Sequence, residues 1–266
     1  MNMKSLKHTL FENVETSNGI FTKHFHDTYT IGITHDGFFK SINLNKECLV
    51  YKKTTRIINP GEVHSGNSKA WKYTNFYPTI SLLEEMYEEM YFEKKIPIFE
   101  KHIANDIKLY NLLFKLFKSV YENFDSMKIE INLINALSYL IKNYSSVTKD
   151  YNVVFPDKKI MTNSLEYIND CLESSISLDK LANNAALSKF HFLRVFKKNV
   201  GLTPHHYILT RKVQKARDLI IEGSSLSQAG FSMGFADQSH FIRNFKKIYG
   251  YSPKALLKKN NFIFYT

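Results

Sequence analysis

The spacing of apolar residues divides the chain into three parts with different textures. Residues 19–76 contain short runs rich in Ile, Phe, Thr, Tyr and Val, separated by Gly and Pro. Such runs predict β-strands, and many short strands close together predict a small barrel or sandwich. A polar, partly ordered arm is expected before them, over residues 1 to about 18. The predicted strands lie at 21–25, 29–34, 38–43, 48–51, 56–58 and 71–77.

Residues 80–145 change to a helical spacing. A charged helix begins near Leu82 and is broken at 96–97 by Ile-Pro. Apolar residues then recur every three to four positions in two further segments, which predicts two amphipathic helices. The periodicity stops around 145–157, and a linker is placed there. The expected fold is α+β, with an all-β domain and its helices at 1–145, a linker at 146–157 and an all-α domain at 158–266.

The C-terminal part contains one sequence pattern twice, at an offset of 49 residues. Eight positions match, including a Gly and a Pro, which indicates an internal duplication. Each copy has the order of a helix-turn-helix: a short apolar helix, a tight turn and a second helix that is basic on one side. The matching positions are His191, Phe192, Arg194, Phe196, Lys197, Lys198, Gly201 and Pro204 in the first copy, and His240, Phe241, Arg243, Phe245, Lys246, Lys247, Gly250 and Pro253 in the second.

Local signals at the ends of the two basic helices agree with this assignment. Ser188 and Asp237 lie where N-caps are expected, because their side chains can accept hydrogen bonds from free backbone N–H groups. Gly201 and Gly250 lie where the helices should end, since Gly adopts the left-handed conformation of a C-cap without strain. Both copies are therefore predicted to have the same helix boundaries.

The residues from Leu178 to Pro253 carry a family resemblance. The pattern GF-x-DQSHF-x-x-x-FK-x-x-x-G-x-x-P at 234–253 resembles the DNA-binding domain of AraC/XylS-type bacterial transcription regulators, and the likeness covers about the last 100 residues. It implies two recognition helices in successive major-groove segments, from two helix-turn-helix units joined by a long helix at 205–222 whose expected buried side is Ile208, Val213, Ala216 and Leu219. It also implies double-stranded DNA and RNA polymerase as partners and a role in activation.

The outward faces of the two basic helices are the expected DNA-binding surface. An isolated basic helix is more often a solvated face with local ion pairs, but the duplication favours DNA contact. Arg pairs with guanine, Gln with adenine, and an apolar ring touches the thymine methyl, whereas Lys holds phosphates without reading sequence. The expected base-reading residues are Phe190, His191, Arg194, Gln238, Ser239, His240 and Arg243. The expected phosphate contacts are Lys189, Lys197, Lys198, Lys246 and Lys247.

The distribution of charge supports a nucleic-acid partner. The net charge is +11, and residues 160–260 hold 15 Lys and Arg against 7 Asp and Glu. Residues 1–159 are nearly balanced, with 21 against 18. A basic excess where the duplicated motif lies is suited to binding a phosphate backbone.

Three histidines mark the candidate chemistry of the N-terminal domain. His24 and His26 alternate along a predicted strand and so share a face, while a turn at Pro60-Gly61 leads to His64. This H-x-H followed by P-G-E-x-H is similar to the cupin barrel that is the sensor domain of many AraC-type regulators. The expected effector pocket consists of His24, His26, Tyr29, His64, Trp71 and Tyr73.

Three roles for the histidines stay open at this point: a divalent metal site, direct contact with an effector, or a hydrogen-bonded interior. Metal-binding cupins carry a Glu shortly after the H-x-H pair, and residues 28–31 contain none. A small-molecule effector is therefore favoured over a resident metal, and no cofactor is expected. His24, His26 and His64 remain the candidate ligands if a metal binds.

The sequence therefore predicts an effector-controlled transcription regulator and not an enzyme. Two alternatives are a cupin-type metalloenzyme fused to a DNA-binding domain, and a regulator whose barrel is purely structural. The resemblance implies a homodimer held by the helices that follow the barrel. The two cysteines have no metal-ligand spacing, and there is no signal peptide or 18-residue apolar run, so a cytoplasmic protein without membrane contact is expected. The apolar end, NFIFYT, suggests no function.

Overall fold

The computed structural model describes residues 9–43, 46–148, 158–257 and 262–265. It confirms an α+β fold with a strand-rich N-terminal part and a helical C-terminal part. The N-terminal elements are β1 (Thr9–His24), β2 (Thr30–Asn43), β3 (Lys46–Tyr51), β4 (Thr55–Ile58), β5 (His64–Tyr77), α1 (Ile80–Tyr91), β6 (Ile96–Phe99), β7 (Ile103–Ala104), α2 (Ile107–Tyr121), α3 (Ser126–Tyr144) and β8 (Ser145–Thr148). The C-terminal elements are α4 (Lys158–Asp170), α5 (Leu178–Asn184), α6 (Lys189–Val200), α7 (Pro204–Ile221), α8 (Leu226–Ser232), α9 (Gln238–Tyr249) and β9 (Phe262–Tyr265).

Seven strands form one antiparallel sheet in the order β7-β4-β2-β5-β1-β9, with β3 also paired to β2, and β6 and β8 form a separate pair. β5 lies between β1 and β2 and pairs with both over most of its length. The predicted strands at 29–34 and 38–43 are one continuous strand, β2, whose register with β5 shifts around Asp36. The central three strands thus provide two extended faces.

The start of the sheet differs from the sequence-based expectation. The chain is already a β-strand at Thr9, so the arm predicted over residues 1–18 is wrong from that point; residues 1–8 lie outside the described part. Leu10 and Phe11 point to opposite faces of the sheet, and both are buried. The sequence of β1 shows no clear alternation of apolar and polar residues, because a strand covered on both faces has no consistently polar side.

One face of the sheet is covered by α1, α2 and α3. This core includes Phe11, Ile31, Ile33, Ile57 and Phe76 from the strands, packed against apolar residues of all three helices. The helical spacing predicted for residues 80–145 is confirmed, except that Ile103, which lies four positions before Ile107 and fits the same apolar spacing, lies in β7 and not in a helix. The helices therefore form a layer on the sheet.

The region expected to be a linker begins with a strand. Residues 145–148 form β8, which pairs with β6 from Ile96↔Thr148 to Phe99↔Ser145. This pairing holds the segment that follows α3 against β6 of the N-terminal domain. The remaining predicted linker residues, 149–157, lie outside the described part of the chain.

The two helix-turn-helix units have the predicted helix ends. Ser188 caps α6 by accepting from the backbone N of His191, and Asp237 caps α9 by accepting from that of His240. Gly201 and Gly250 end these helices in the left-handed conformation, with φ of 80° and 78°. Local chemistry therefore determines both boundaries.

The connecting helix α7 buries a face different from the predicted one. Val213 and Ala216 are buried as expected, but Ile208 and Leu219 are only partly buried. Tyr207 and Ile220 are buried instead. The buried face is rotated because α7 packs against both helix-turn-helix units. It also packs against the chain just after β1, where Gln214 donates a hydrogen bond to the carbonyl of Phe25.

The second face of the sheet packs directly on the second helix-turn-helix unit. Leu10, Val14, Phe39 and Trp71 of the strands form one continuous core with residues of α7, α8 and α9. β9 extends this arrangement, since it pairs with the first four residues of β1 from Thr9↔Tyr265 to Glu12↔Phe262. The apolar C-terminal tail is thus an edge strand of the N-terminal sheet.

Candidate effector cavity and DNA-binding surface

A small cavity lies between the second face of the sheet and α9. Its free volume is about 30 Å³, which is space for roughly one water-sized group or slightly more. The wall combines imidazoles, phenols, one guanidinium and one carboxylate. The lining residues are Glu12, Phe21, His24, His26, Thr30, Phe39, Arg56, His64, Ser65, Trp71, Tyr73, Asn75, Tyr77, Ile248 and Tyr249.

The three histidines predicted to converge do so. Their ring centroids are separated by 4.3 Å between His24 and His64, 5.0 Å between His24 and His26, and 5.2 Å between His26 and His64. His24 is the last residue of β1 and pairs with His64, the first residue of β5. His26 lies just beyond β1, where the turn at Gly61 donates a backbone hydrogen bond to its carbonyl.

Burial and backbone contacts determine the state of these rings. Nδ1 of His24 is 2.7 Å from the carbonyl oxygen of Thr22, and Nδ1 of His64 is 2.9 Å from that of Glu62. Burial lowers the pKa of His24 to about 4 and holds the pKa values of His26 and His64 well below their usual range. All three imidazoles are therefore neutral at physiological pH.

Arg56 and Glu12 bring charge to the cavity and were missed in the sequence. Arg56 is buried, its Nη2 has no hydrogen-bond partner among the described residues, and burial lowers its pKa to about 10. Burial likewise raises the pKa of Glu12, whose carboxylate accepts hydrogen bonds from Tyr77 and Tyr251. A charged residue inside the otherwise uncharged strand TRII was a signal that could have identified Arg56.

Five of the six predicted pocket residues line the cavity, and Tyr29 does not. Its ring belongs to the core on the opposite face, where its hydroxyl donates to the carbonyl of Pro97 at 2.7 Å. The neighbouring Thr30 lines the cavity in its place. Successive residues of an extended chain point to opposite faces, so Tyr29 and Thr30 cannot both face the cavity.

The recognition helix of the second unit forms part of the cavity wall. Ile248 and Tyr249, at the C-terminal end of α9, contact the space directly, and the Tyr249 ring lies 6.0 Å from that of His26. The hydroxyl of Thr22 also donates to the carbonyl of Lys247 at 3.0 Å. The end of α9 is therefore held against β1.

A larger cleft of about 310 Å³ lies beside the cavity, between the end of β1 and α7. His26 and Tyr77 line both spaces, so the cleft leads toward the histidines. Arg211 is ion-paired with Asp27 there, and Nε and Nη1 of Arg217 have no hydrogen-bond partner within the described ranges. The cleft has the size of a small-molecule site and contains unsatisfied cationic donors.

The predicted DNA-contacting residues lie on exposed helix faces. α6 and α9 leave every predicted base-reading and phosphate-contacting side chain accessible to solvent and bury Phe192, Phe196, Phe241 and Phe245. Phe190 is 87% exposed, which a packing role would not explain. Lys189 is ion-paired with Asp179 at 2.6 Å. The two basic faces are thus free to contact a duplex while the opposite sides of the same helices are packed.

A strand-rich domain with a small internal cavity, followed by two capped helix-turn-helix units, has the domain order of a DNA-binding regulator. The model of an AraC-like ligand binding domain matches residues 14–137, and a helix-turn-helix domain model matches residues 181–259. The chain belongs to the AraC family of transcription regulators, and its N-terminal part is the family's ligand-binding domain.

Relatives extend over both domains. The chain is 28% identical to YbfI, an HTH-type transcriptional regulator of Bacillus subtilis, over 83% of this chain and 81% of YbfI. It is 32% identical to the HTH-type transcriptional activator RhaS of Escherichia fergusonii, but over only 35% of this chain and 34% of RhaS. One likeness thus covers most of both chains, and the other covers about a third of each.

Solved structures share the fold at low sequence identity. Apo ToxT from Vibrio cholerae, in a variant form, aligns with a TM-score of 0.64 and 12% identity over 98% of both chains. Wild-type ToxT bound to an unsaturated fatty acid aligns with a TM-score of 0.61 and 12% identity over 94% of each chain. The arrangement of the two domains is therefore that of a known fold. No helix in the described part of this chain has an apolar stretch long enough to cross a bilayer.

Proposed function

We propose that this regulator is a sequence-specific activator. Its affinity for DNA is controlled by a small anionic molecule that binds between the sheet and the second helix-turn-helix unit. The observation that carries the proposal is the double role of α9. One side of this helix presents Arg243 to solvent, and its end contributes Tyr249 to the cavity wall. A ligand in the cavity would therefore touch the helix that contacts DNA.

The DNA-binding surface consists of the two exposed basic faces. Arg194 and Arg243 occupy matching positions and are suited to guanine, and Gln238 is suited to adenine. Phe190, His191, Ser239 and His240 complete the base-reading set. Lys189, Lys197, Lys198, Lys246 and Lys247 neutralise phosphates and hold the register.

The effector is expected to carry a carboxylate or a similar anion. Arg56 in the cavity and Arg217 in the cleft both have buried nitrogen atoms without a partner among the described residues. Such donors are costly to leave unsatisfied, and an anionic oxygen satisfies them with charge-assisted hydrogen bonds. The fatty acid bound by the structural neighbour ToxT is a carboxylate as well, which supports this chemical class.

The cavity is too small for an organic effector while α9 stays in place. About 30 Å³ accommodates an oxygen atom or a water, whereas the adjoining cleft of 310 Å³ accommodates the body of a small ligand. An effector that reaches Arg56 through the cleft must displace Tyr249 and Ile248. The second recognition helix then moves relative to the first, and the spacing of the two basic faces changes.

Dimerisation and contact with RNA polymerase complete the proposal. The layer of α2 and α3 exposes Ile107, Phe114 and Ile131 beyond their packed face. Apolar side chains grouped on neighbouring helices suit a second copy of the chain, and two copies would bind two half-sites in the cytoplasm. The activating role, with RNA polymerase as partner, rests on likeness to the family, including the activator RhaS.

The test uses DNA affinity as the readout and carboxylates as probes. An operator is selected from random duplex DNA, and its affinity for the full chain is measured by fluorescence anisotropy with benzoate, octanoate and oleate. At least one carboxylate should change the affinity of wild type, and its amide should not. Arg56→Gln should lose the response while keeping the basal affinity, and Lys52→Gln, an exposed neighbour, should respond as wild type. An Arg56→Gln protein that is folded and responds with the wild-type midpoint would contradict the proposal.

A further inference from the structure

The histidine cluster has the geometry of a metal site. His24, His26 and His64 are all buried, and each offers a ring nitrogen such that the three atoms lie within 4.8 Å of one another. Ligand nitrogens around a tetrahedral zinc lie about 2.0–2.1 Å from the metal. Modest side-chain rotation brings three rings at this separation onto one ion, because each ring turns about its own χ angles.

Hydrogen bonds orient two of the rings for this purpose. A backbone carbonyl only accepts, so the contacts to Thr22 and Glu62 place the proton of each neutral ring on Nδ1. Nε2 of His24 and of His64 then carries a lone pair. A histidine that binds metal through one nitrogen and donates from the other to a carbonyl is the usual arrangement at metal centres, where the second bond fixes tautomer and orientation.

These lone pairs lack a donor in the protein. Within the described residues, no side chain or backbone group donates a hydrogen bond to Nε2 of His24 or His64, and none bonds the ring of His26. All three residues line the cavity, so a group bound there can reach these nitrogens. A single cation in the 30 Å³ space would satisfy all three at once, and the space is too small for most organic ligands.

We propose that His24, His26 and His64 bind one divalent metal ion of the zinc class, with a further coordination position open toward Arg56. Imidazoles suit Zn²⁺, Co²⁺, Ni²⁺ and Fe²⁺, and three protein ligands with an open position are typical of metals that exchange a small ligand. The open position receives an oxygen of the anion, which Arg56 binds at the same time. This last step rests on the proposed effector site, whereas the metal site itself does not.

The neighbouring charges act on such an ion in opposite directions, because Arg56 repels it and the Glu12 carboxylate attracts it. Arg56 adds a positive charge to the cavity, and Glu12 is the carboxylate in its wall. The Glu12 carboxylate is held by Tyr77 and Tyr251 and stays beside the site without being needed as a ligand. A metal and a guanidinium together attract an anion more strongly than either alone, which gives the cavity its selectivity for an anionic oxygen.

Cobalt binding to the full chain, without DNA or effector, tests the site. Protein freed of metal by a chelator is titrated with Co²⁺, whose visible d–d absorption reports coordination, and Zn²⁺ is then added in competition. Wild type should bind one Co²⁺ per chain, and Zn²⁺ should displace it. Replacing a ligand costs at least as much affinity as replacing its outer-shell partner, about 10–100-fold, and this is the loss expected for His24→Ala, His26→Ala and His64→Ala.

His35→Ala is the matched control. His35 lies in the same sheet, is partly buried, and its Nε2 is 2.7 Å from the hydroxyl of Thr74, away from the cavity. This variant should bind Co²⁺ as wild type does. The site would be overturned if His35→Ala lost as much Co²⁺ affinity as the three cavity variants. It would also be overturned if more than one ion bound and no variant lost affinity.

X-ray absorption on zinc-loaded wild type avoids dependence on variants that fail to fold. Three imidazole nitrogens at about 2.0–2.1 Å are expected, and a sulfur ligand or an all-oxygen shell would overturn the proposal. The results of the metal experiments can be distinguished from those of the carboxylate experiment. Metal binding without any carboxylate response leaves the metal site intact, and a carboxylate response that survives chelation removes the metal from the effector mechanism.

Discussion

The two helix-turn-helix units are copies in sequence but differ in what lies behind them. The first unit has its own core, to which the N-terminal domain contributes Phe25, whose ring is stacked on Tyr207 at 4.9 Å, and the partly buried Val63. The second unit has no separate core. Its phenylalanines share one continuous cluster with Trp71 and Tyr73 of the sheet. Similar outer faces thus coexist with different inner neighbours.

Under the proposed function, this difference gives the two units different roles. Among the described residues, the core behind α6 takes only Phe25 and the partly buried Val63 from the N-terminal domain. α9 cannot move without opening the wall that Tyr249 forms at the cavity. In the proposed mechanism, the second unit is therefore the one through which an event in the sheet would reach DNA.

Removing the central ring of each unit should give the largest effects and break the comparison most directly. Phe192 and Phe241 occupy matching positions and are completely buried, so Phe192→Ala and Phe241→Ala should each cost about 3–5 kcal/mol of unfolding free energy. Hydrogen exchange should then differ. Phe241→Ala should accelerate amides of β1 and β5 as well as those of α7–α9, and Phe192→Ala should affect mainly α4–α6. The same exchange pattern in both variants would show that the cores are not distinct.

The two C-cap glycines give a sharper test with a smaller effect. Gly201 and Gly250 have nearly the same φ, and Ala at either position costs about 1–2 kcal/mol for the left-handed conformation. A Cβ on Gly201 would lie 3.5 Å from Val63, an ordinary contact, whereas on Gly250 it would lie 2.3 Å from the ring of Phe21. Phe21 packs edge-on against Phe39 and Trp71, so overpacking adds about 1–3 kcal/mol in Gly250→Ala. Urea unfolding of both variants measures the difference, and equal losses would mean that α9 is not pressed on β1.

The matching arginines test the outer faces, where the units should be alike and the effects smallest. Arg194→Ala and Arg243→Ala should each weaken operator binding by about 1–3 kcal/mol and relax specificity in different segments of the site. Binding to a library of single-base variants measures both quantities. Lys128→Ala, on the exposed side of α3, is the control and should bind as wild type. If neither arginine variant lost affinity, α6 and α9 would not be the recognition helices.

The parts of the structure that depend on neighbouring residues were predictable from the sequence. The caps at Ser188 and Asp237 and the ends at Gly201 and Gly250 are determined within a few residues, and all four are confirmed. Alternation also brought His24 and His26 together, although His26 lies beyond the end of β1. Period-2 reasoning needs only the local chain, so it survives small errors in strand boundaries.

Features that depend on distant segments were not predictable. The start of β1 was missed because its apolar residues point to both faces, and the second face is covered only by a domain about 200 residues later in the chain. Tyr29 was assigned to the wrong face because the register between His26 and β2 depends on the intervening turn. Arg56 and Glu12 line the cavity because strand pairing places them there, and the sequence of either strand alone does not indicate this pairing.

The pairing of β9 with β1 also has a consequence for synthesis on the ribosome. Residues Thr9–Glu12 of β1 emerge early, yet β9, the strand that pairs with them, is translated about 250 residues later. During that interval this stretch is an uncovered edge with free backbone donors and acceptors, which favours pairing with other nascent chains. Contacts that close so long a loop form slowly. The last described strand therefore closes this edge of the sheet late, and until then the edge is open to pairing with other chains.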